Sequence, residues 1–563
     1  MKSGAQILIE GLKEQGVDVI FGYPGGVVLP IYDELYDSDI RHILVRHEQA
    51  AIHAADGYAR ASGKVGVCLA TSGPGACNLV TGLATAYMDS IPVVALTGQV
   101  PTMLLGNDAF QESDITGITM PVTKHNYLVQ DVKDLKRIIR EAFYIAGTGR
   151  KGPVLIDIPK DVSTTKIPDV DGPDQQIRLR GYKPTYQGHG KQIQKAIDLL
   201  SASQRPIIYA GGGVISSNAS AELVAFAERM CMPVATTLMG LGCIPADHPL
   251  NLGMLGMHGT AYANYAITGS DLLFSIGVRF DDRVTGNLAT FAPSAKIIHI
   301  DIDPAEIGKN KPVDVPIVGD AKNILSDLLK KIPESCPHPD WSAQVQGWKE
   351  DHPLKYKENG NIRPQSVIRK LADILGSRGV IVSEVGQNQM WTAQFFRFSR
   401  PRQWVSSGGL GTMGFGFPAA MGAHYACPDE PVIVIAGDGS FQMNIQELGT
   451  VAQYQIPVKI IILNNQFLGM VRQWQELFYE RRYSYTELPE VNFAAIAHAY
   501  GIEAETVMRA SDVEGALRRA LDHKGPYLLD FRVEREENVF PMVPAGAAIS
   551  EMIVGKHTDH EEE

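Results

Sequence analysis

No apolar run in the 563-residue chain is long enough to cross a membrane. The N-terminus, "MKSGAQILIEGLKEQGVDVIFGYPGG", passes directly into an amphipathic helix and a strand, with neither an apolar signal core nor a basic leader. A cytoplasmic protein is expected. Cysteine is scarce: Cys68, Cys77, Cys231, Cys243, Cys336 and Cys427 form no CxxC and no metal-ligand spacing. That excludes a disulfide framework and points to buried thiols in a reducing compartment. Positive charge is in short supply as well. Against 63 Asp and Glu stand 51 Lys and Arg, a formal net charge of -12, and no basic cluster carries interleaved aromatics. Nucleic acid is therefore not an expected partner, and small molecules are. What remains is an ordinary globular composition, 45% hydrophobic and 20% charged, at a length that suggests about three or four domains.

Short apolar runs alternate with helical patterns nearly throughout, which predicts an α/β protein with parallel sheets flanked by helices. Three blocks separate. Residues 1–162 carry "VDVIFG", "VGVCLATSGPG", "IPVVALTG" and "GPVLIDIP", and a polar stretch that reads as a linker follows. Residues 190–333 run from "RPIIYAGGGV" to "VPIVGDA". Residues 364–540 hold "GVIVSEVGQ", "EPVIVIAGDGSF" and "VKIIILNNQ", and a tail, 541–563, closes with the charged "GKHTDHEEE", which is expected to fray. The outer blocks echo each other. Both "TSGPGACNLVTGLATAYMDSIPVVALTG" and "SSGGLGTMGFGFPAAMGAHYACPDEPVIVIAGDG" run from a Gly-rich turn through a small-residue helix to a Pro-initiated strand.

The segment "LVRHEQAAIHAADGYARASG" sets Glu48 at the start of a helix after a strand end. Glu48, Ile52, Ala55 and Ala59 share one helical face, while Gln49, His53, Asp56 and Arg60 form a polar face predicted to meet solvent. Glu48 then points inward. An inward carboxylate needs a partner, because burial raises its pKa unless something pairs with it.

Two strand ends in the third block carry chemistry. "EPVIVIAGDGSF" ends in Gly437-Asp438-Gly439, and after 24 further residues "VKIIILNNQ" ends in Asn464-Asn465. Alone, GDG is a tight turn. Together, at carboxyl ends of parallel strands, Asp438 and Asn465 offer hard oxygen ligands for magnesium shared with a phosphate. Flanking glycines allow close backbone approach, and the helix from Ser440 presents its N-terminus.

GDG and NN at this spacing resemble the cofactor motif of the thiamine-diphosphate enzymes. With "FGYPGG", "RHEQAA", "TSGPGA", "DAFQE", "GPVLIDIPKDV", "GVRFDDRVTGN", "GTMGFGFPAAMGA" and "LNNQFLGMVRQWQELFY", nearly the whole chain is similar to the acetohydroxyacid synthase (acetolactate synthase) family of large catalytic subunits. The resemblance implies two outer domains of the thiamine-diphosphate-binding type around a Rossmann-like middle one. It assigns Glu48 to the cofactor's aminopyrimidine, where it would drive the amino group to its imino form and so free the C2 proton. It assigns Met413 to folding the cofactor into a V and the Gly411 carbonyl to receiving its amino group. The metal would be held by Asp438, Asn465 and the backbone carbonyl of Phe467. FAD is implied at Arg150, Gly211, Gly212, Gly213, Thr237, Leu238, Met257, His258, Arg279, Asp301 and Asp320, although "YAGGGV" lacks the GxGxxG fingerprint and its acidic partner.

The implied reaction joins pyruvate, with loss of carbon dioxide, to a second pyruvate or to 2-ketobutyrate, the first common step of branched-chain amino-acid synthesis. Gln111 and Lys160 join Glu48, Gly411 and Met413 as implied catalytic residues, and Phe110, Arg283, Met470 and Trp474 as implied substrate contacts. The resemblance further implies a homodimer or homotetramer whose site lies between subunits, and a separate small regulatory subunit. A pyruvate oxidase or another 2-keto acid decarboxylase or carboligase of this plan is the alternative, against which "RFDDRVTGN" and "MVRQW" speak. A plain nucleotide-binding oxidoreductase leaves Glu48, GDG and NN unexplained.

Overall fold

"KIIILN" is buried along its whole length and "VIVIAG" up to its final glycine, as strands covered by helices on both sheet faces require. The computed structural model describes residues 1–168, 177, 179–334 and 337–555; Cys336, much of the expected linker and all but the first residue of "GKHTDHEEE" lie outside them. A short antiparallel pair, β1 (Lys2–Ser3) with β8 (Lys166–Ile167), ties the two ends of the first block together.

Three six-stranded parallel sheets follow one another along the chain. The first contains β2 (Val19–Gly22), β3 (Arg41–Leu44), β4 (Gly66–Ala70), β5 (Val93–Gln99), β6 (His125–Leu128) and β7 (Val154–Pro159), in the order β3-β2-β4-β5-β7-β6. The third contains β15 (Val380–Ser383), β16 (Trp404–Ser406), β17 (Val432–Gly437), β18 (Lys459–Asn464), β19 (Glu503–Val507) and β20 (Tyr527–Arg532), in the order β16-β15-β17-β18-β20-β19. Numbered within each domain, both orders are 2-1-3-4-6-5, so the faint sequence echo corresponds to one topology used twice. The middle sheet differs. Its strands β9 (Pro206–Ala210), β10 (Val234–Thr236), β11 (Asn251–Met254), β12 (Leu272–Ile276), β13 (Lys296–Asp301) and β14 (Val315–Val318) lie in the order β11-β10-β9-β12-β13-β14. Within the domain that is 3-2-1-4-5-6, the dinucleotide-binding order.

The helix Glu48–Ser62 corrects the amphipathic reading. His53, Asp56 and Arg60, placed on the solvent side from the sequence, are all buried. The helix packs on its own sheet and, on its other side, against helix Gly416–Ala426 of the third domain, sharing one apolar core with it. Arg60 and Asp56 tolerate this burial by pairing with each other. The segment after β20 also crosses domains: Val543, Ile549 and Met552 are buried in the middle domain's core with Val278 and Phe291, and the Val543 N–H donates to the Met257 carbonyl. Among the described residues no helix is long and apolar enough to cross a membrane. The five described cysteines are unpaired, but only Cys68 and Cys243 are buried; Cys77 is exposed, against the expectation of buried thiols.

Candidate active site

Ligands of open parallel sheets gather where the strand order reverses. In the third sheet that point lies between β15 and β17. Asp438, directly after β17, is 3% exposed, and its Oδ1 has no hydrogen-bond partner in the protein. Burial pushes its carboxyl up to about 7, helped by nearby Asp530 and opposed by the Asn465 backbone N–H and Arg532. Asn465, directly after β18, accepts the Phe467 N–H on Oδ1 at 3.1 Å and donates from Nδ2 to Gln387 Oε1 at 3.3 Å. An uncompensated buried carboxylate oxygen beside an amide oxygen suits a hard cation. Among the described residues no group of three or more His, Cys, Asp or Glu side chains is arranged to hold a metal ion by itself, so such a cation would need oxygens from a bound phosphate as well.

The sequence reading missed Gln387, Asn388 and Glu384. All follow β15 at the same reversal point, in "VSEVGQNQ", and the strand-end position was the available signal. Gln387 donates to Gln473 Oε1 and the Glu537 carbonyl, each at 2.9 Å. The side chain of Asn388 ties the ends of β15 and β17 by donating to the Glu384 and Ile435 carbonyls. Glu384 is fully buried and accepts the N–H groups of Gly414 and Phe417, both at 2.9 Å. Burial moves its carboxyl up to about 7, and those two donors oppose the shift. It thereby holds the end of the loop that carries Gly411 and Met413.

Gly411 and Met413 border a cavity of about 1240 Å³ that runs from this loop to the middle domain. There the strand order reverses between β9 and β12. Gly211 to Gly213 follow β9 and Gly277 follows β12. A Cβ on Gly213 would lie 2.5 Å from the Gly277 Cα, so the close approach of the two strand ends needs glycine. Of the residues singled out from the sequence, Arg150, Gly212, Gly213, Thr237, Leu238, Met257, His258, Arg279, Asp301 and Asp320 line this cavity, joined by Arg283, Met470 and Trp474. Gly211 packs against Gly277 instead.

Several of these are already engaged. Arg150 pairs with Asp303 at 3.1 Å and Glu306 at 2.5 Å. Asp320 caps helix Ala321–Leu329, and Thr237 accepts the Gly240 N–H at 3.0 Å. Asp301 ends β13 with its carboxyl pushed up to about 7 by burial. Burial lowers His258 to about 4, which keeps it neutral near pH 7. The Arg283 guanidinium lies 5.8 Å from the centre of the Trp474 ring.

Four other first-domain residues stand apart from the cavity that Arg150 lines. Glu48 is half-buried at its sheet's rim, where Asn78 Nδ2 donates to Oε2 at 2.9 Å and a Cβ on Gly75 would lie 3.1 Å from Oε1. Gln111, with φ 58°, packs its backbone against Gly73. Phe110 is 88% exposed, and Lys160 is exposed at the start of helix Lys160–Thr164, after β7. None of these four, nor Gly437, Asp438, Gly439, Ser440, Asn465 or Phe467, lines the cavity. Within one chain, then, Glu48 and the GDG rim are not joined by it.

Three thiamine pyrophosphate enzyme models match: the N-terminal TPP-binding domain over residues 2–118, the central domain over 193–328 and the C-terminal TPP-binding domain over 384–531. Similar proteins include an acetolactate synthase of Arthrospira platensis, 53% identical over 98% of this chain and 97% of its own length. An acetolactate synthase of Mycobacterium bovis is 52% identical, covering 98% and 91%. An acetolactate synthase large subunit of Porphyra purpurea is 49% identical, covering 98% and 95%. With this identity along nearly the whole chain and all three domain models matched, the chain belongs to the acetolactate synthase large-subunit family of thiamine pyrophosphate enzymes.

Proposed function

We propose that this chain condenses pyruvate, with loss of carbon dioxide, with a second pyruvate or 2-ketobutyrate to form an acetohydroxy acid. One observation carries the reading: the cavity connects the loop of Gly411 and Met413 to the paired Arg283 and Trp474, so the loop proposed to prop the cofactor and a cationic, aromatic mouth suited to a keto acid share one space. Bound thiamine diphosphate supplies an electron sink for decarboxylating a 2-keto acid.

The protein's share is placement. Asp438, Asn465 and the Phe467 carbonyl would hold Mg2+ against the diphosphate, a role that the partnerless Asp438 Oδ1 fits. Met413 supplies an apolar prop and Gly411 a carbonyl acceptor. Arg283 attracts the carboxylate of an incoming keto acid, and Met470 and Trp474 line the side that the acceptor would occupy. Apolar walls favour loss of a charged carboxylate group. FAD would occupy the middle-domain part of the cavity, at the dinucleotide reversal point between β9 and β12.

Glu48, with Gln111, Lys160 and Phe110 of the same domain, would complete the site of a second copy. A homodimer or homotetramer follows from that reading, each site being built from two chains. A small regulatory subunit and a cytoplasmic setting belong to the same proposal.

The test is product analysis. Purified chain with pyruvate, thiamine diphosphate, Mg2+ and FAD should give acetolactate without net flavin reduction. Acetaldehyde, acetyl phosphate or bleached flavin as the main outcome would instead support the decarboxylase or oxidase alternative.

A further inference from the structure

We propose that Asp89, held by Arg60, and its helix neighbour Thr85 are positioning residues that set the loop presenting Gly411 and Met413; this rests on the cofactor reading above.

The loop between β16 and helix Gly416–Ala426 contains Gly408, Gly409, Gly411 and Gly414. Glycine gives the backbone the turns it needs, with φ of 71° at Gly411 and 85° at Gly414. It also leaves the segment with more conformational freedom than any other residue would. Such a loop holds Met413 in one place only if something outside it fixes the backbone. The third domain fixes its far end through Glu384, and through Asn444, whose Nδ2 donates to the Gly414 carbonyl at 2.5 Å.

The near end is fixed from the first domain. Asp89, the last residue of helix Val80–Asp89, accepts the Gly408 N–H on Oδ2 at 3.0 Å and the Gly409 N–H on Oδ1 at 2.7 Å. A carboxylate gripping two consecutive N–H groups fixes both the position and the direction of that peptide. Its side chain is fully buried. Arg60 Nη2 donates to Asp89 Oδ2 at 2.9 Å, and Nη1 reaches the Ser406 carbonyl at 2.8 Å, so Arg60 itself spans the two domains. Desolvation opposes the charge of Arg60, but Asp56 and Asp89 overcome it and keep the guanidinium firmly protonated. One turn back from Asp89, Thr85 spends its own hydroxyl proton on the Thr81 carbonyl, so its oxygen accepts from Thr412, with the two oxygens 2.7 Å apart. Positions 85 and 89 face the same way on the helix. Glycine at 409 is part of the device: a Cβ there would lie 2.8 Å from Asp89 Oδ1.

Asp89 borders the same cavity as Gly411 and Met413, but its carboxylate is engaged by the Gly408 and Gly409 N–H groups and Arg60, and the Thr85 hydroxyl by Thr81 and Thr412. Asp89 and Thr85 act through the backbone that carries Gly411 and Met413, and they belong to the domain that also carries Glu48.

Asp89→Asn and Thr85→Val test this with thiamine diphosphate and Mg2+ as probes. Cofactor binding is read by fluorescence titration, C2 hydrogen exchange of the bound cofactor by NMR, and turnover by kcat and KM. The expected result is cofactor affinity within about threefold of wild type, C2 exchange per bound cofactor down by about 10- to 100-fold in Asp89→Asn and by less in Thr85→Val, and kcat lowered with KM for pyruvate little changed. Exchange at the wild-type rate in both variants overturns the proposal. Should Asp89→Asn not fold, the nearly isosteric Thr85→Val decides alone, and a wild-type exchange rate there overturns it. Wild-type protein that binds no thiamine diphosphate would defeat the cofactor reading itself, an outcome distinct from normal wild-type exchange with unaffected variants.

Discussion

Gly57 of the first domain lies so close to Ala419 of the third that a Cβ on Gly57 would sit 2.1 Å from the Ala419 carbonyl oxygen. The contact is mutual along the two helices, since a Cβ on Gly422 would lie 1.8 Å from the Ala54 carbonyl oxygen. Backbone touches backbone, and no flexible side chain can give way. Gly57→Ala should therefore be destabilising. In an open helix the change gains about 0.5–1 kcal/mol, whereas overpacking costs about 1–3 kcal/mol or more, and here the second effect wins. Gly347→Ala is the control, because that helical glycine has open space around it. Denaturant midpoints should fall for position 57 and hold or rise for position 347; a raised midpoint for Gly57→Ala would contradict the contact.

The junction also has a pH signature. Glu447 of the third domain accepts the Arg46 N–H at 2.9 Å and the Thr450 hydroxyl at 2.6 Å, two residues ahead of Glu48. Burial pushes its carboxyl up to about 7, against the opposing help of those donors and the Arg46 charge. Between the ordinary glutamate value near 4.5 and about 7, the folded state binds more protons at this group than the unfolded state does. Stability from Glu447 is therefore greatest below that window and declines as pH rises through it, by up to about 3 kcal/mol. In Glu447→Gln this component of the decline should vanish. Unfolding midpoints at pH 5 and pH 7.5 for both proteins measure it, and an identical pH dependence would refute the assignment.

How far the sequence reveals this molecule depends on the range of each signal. Strands such as "VIVIAG" and "KIIILN" are local, and GDG with NN is a pair of strand ends, so the α/β class and the Asp438 rim could be read directly. The polar face of helix Glu48–Ser62 could not. His53, Asp56 and Arg60 look like a solvent face because a helical pattern sees only its own helix. Their burial comes from helix Gly416–Ala426, and Arg60's partners Asp89 and Ser406 come from other elements. The Rossmann-like order of the middle sheet was expected from the family resemblance and not from any local motif. "YAGGGV" lacks the fingerprint, and only the pairing of β9 with β12 brings Gly213 to Gly277. Gln387 was passed over because a glutamine carries no motif until its neighbour Asn465 is placed.

Asp438 gives the metal prediction. With Oδ1 buried and partnerless, the wild-type carboxylate should bind Mg2+ together with the diphosphate and lose its desolvation penalty in doing so. Asp438→Asn keeps the shape but removes the charge. The Mg2+ concentration for half-maximal thiamine diphosphate binding should rise by at least about tenfold. An unchanged requirement, measured by titrating Mg2+ against cofactor fluorescence quenching, would remove Asp438 from the metal site.

Arg283 and Trp474 should act on the acceptor. Arg283 is largely exposed at the mouth, so its contact with the ring contributes about 0.5–1 kcal/mol to holding the pair together. The larger effect is the shape that Trp474 imposes. A single methylene in an apolar pocket discriminates by about 1–3 kcal/mol, which is the difference between pyruvate and 2-ketobutyrate. Trp474→Leu should shift the product ratio in mixed-substrate competition by about tenfold or more while leaving pyruvate decarboxylation nearly intact. A ratio equal to wild type would place the acceptor elsewhere.

Glu48 carries the sharpest test of the site between subunits. Its carboxylate is held by Asn78 at 2.9 Å on the first domain's rim, half open to whatever sits above it. Glu48→Gln preserves size and can still bond Asn78, so the protein should fold and bind thiamine diphosphate. The variant cannot stabilise the imino form of the aminopyrimidine, and C2 exchange should drop by about 100-fold or more, within the range for a lost general acid–base group. Mixing then separates the two arrangements. If Glu48 serves its neighbour's site, heterodimers of Glu48→Gln with Asp438→Asn chains retain one intact site, and activity reappears when two inactive proteins are unfolded and refolded together. If Glu48 serves its own chain's site, every site in the mixture is defective and no activity returns.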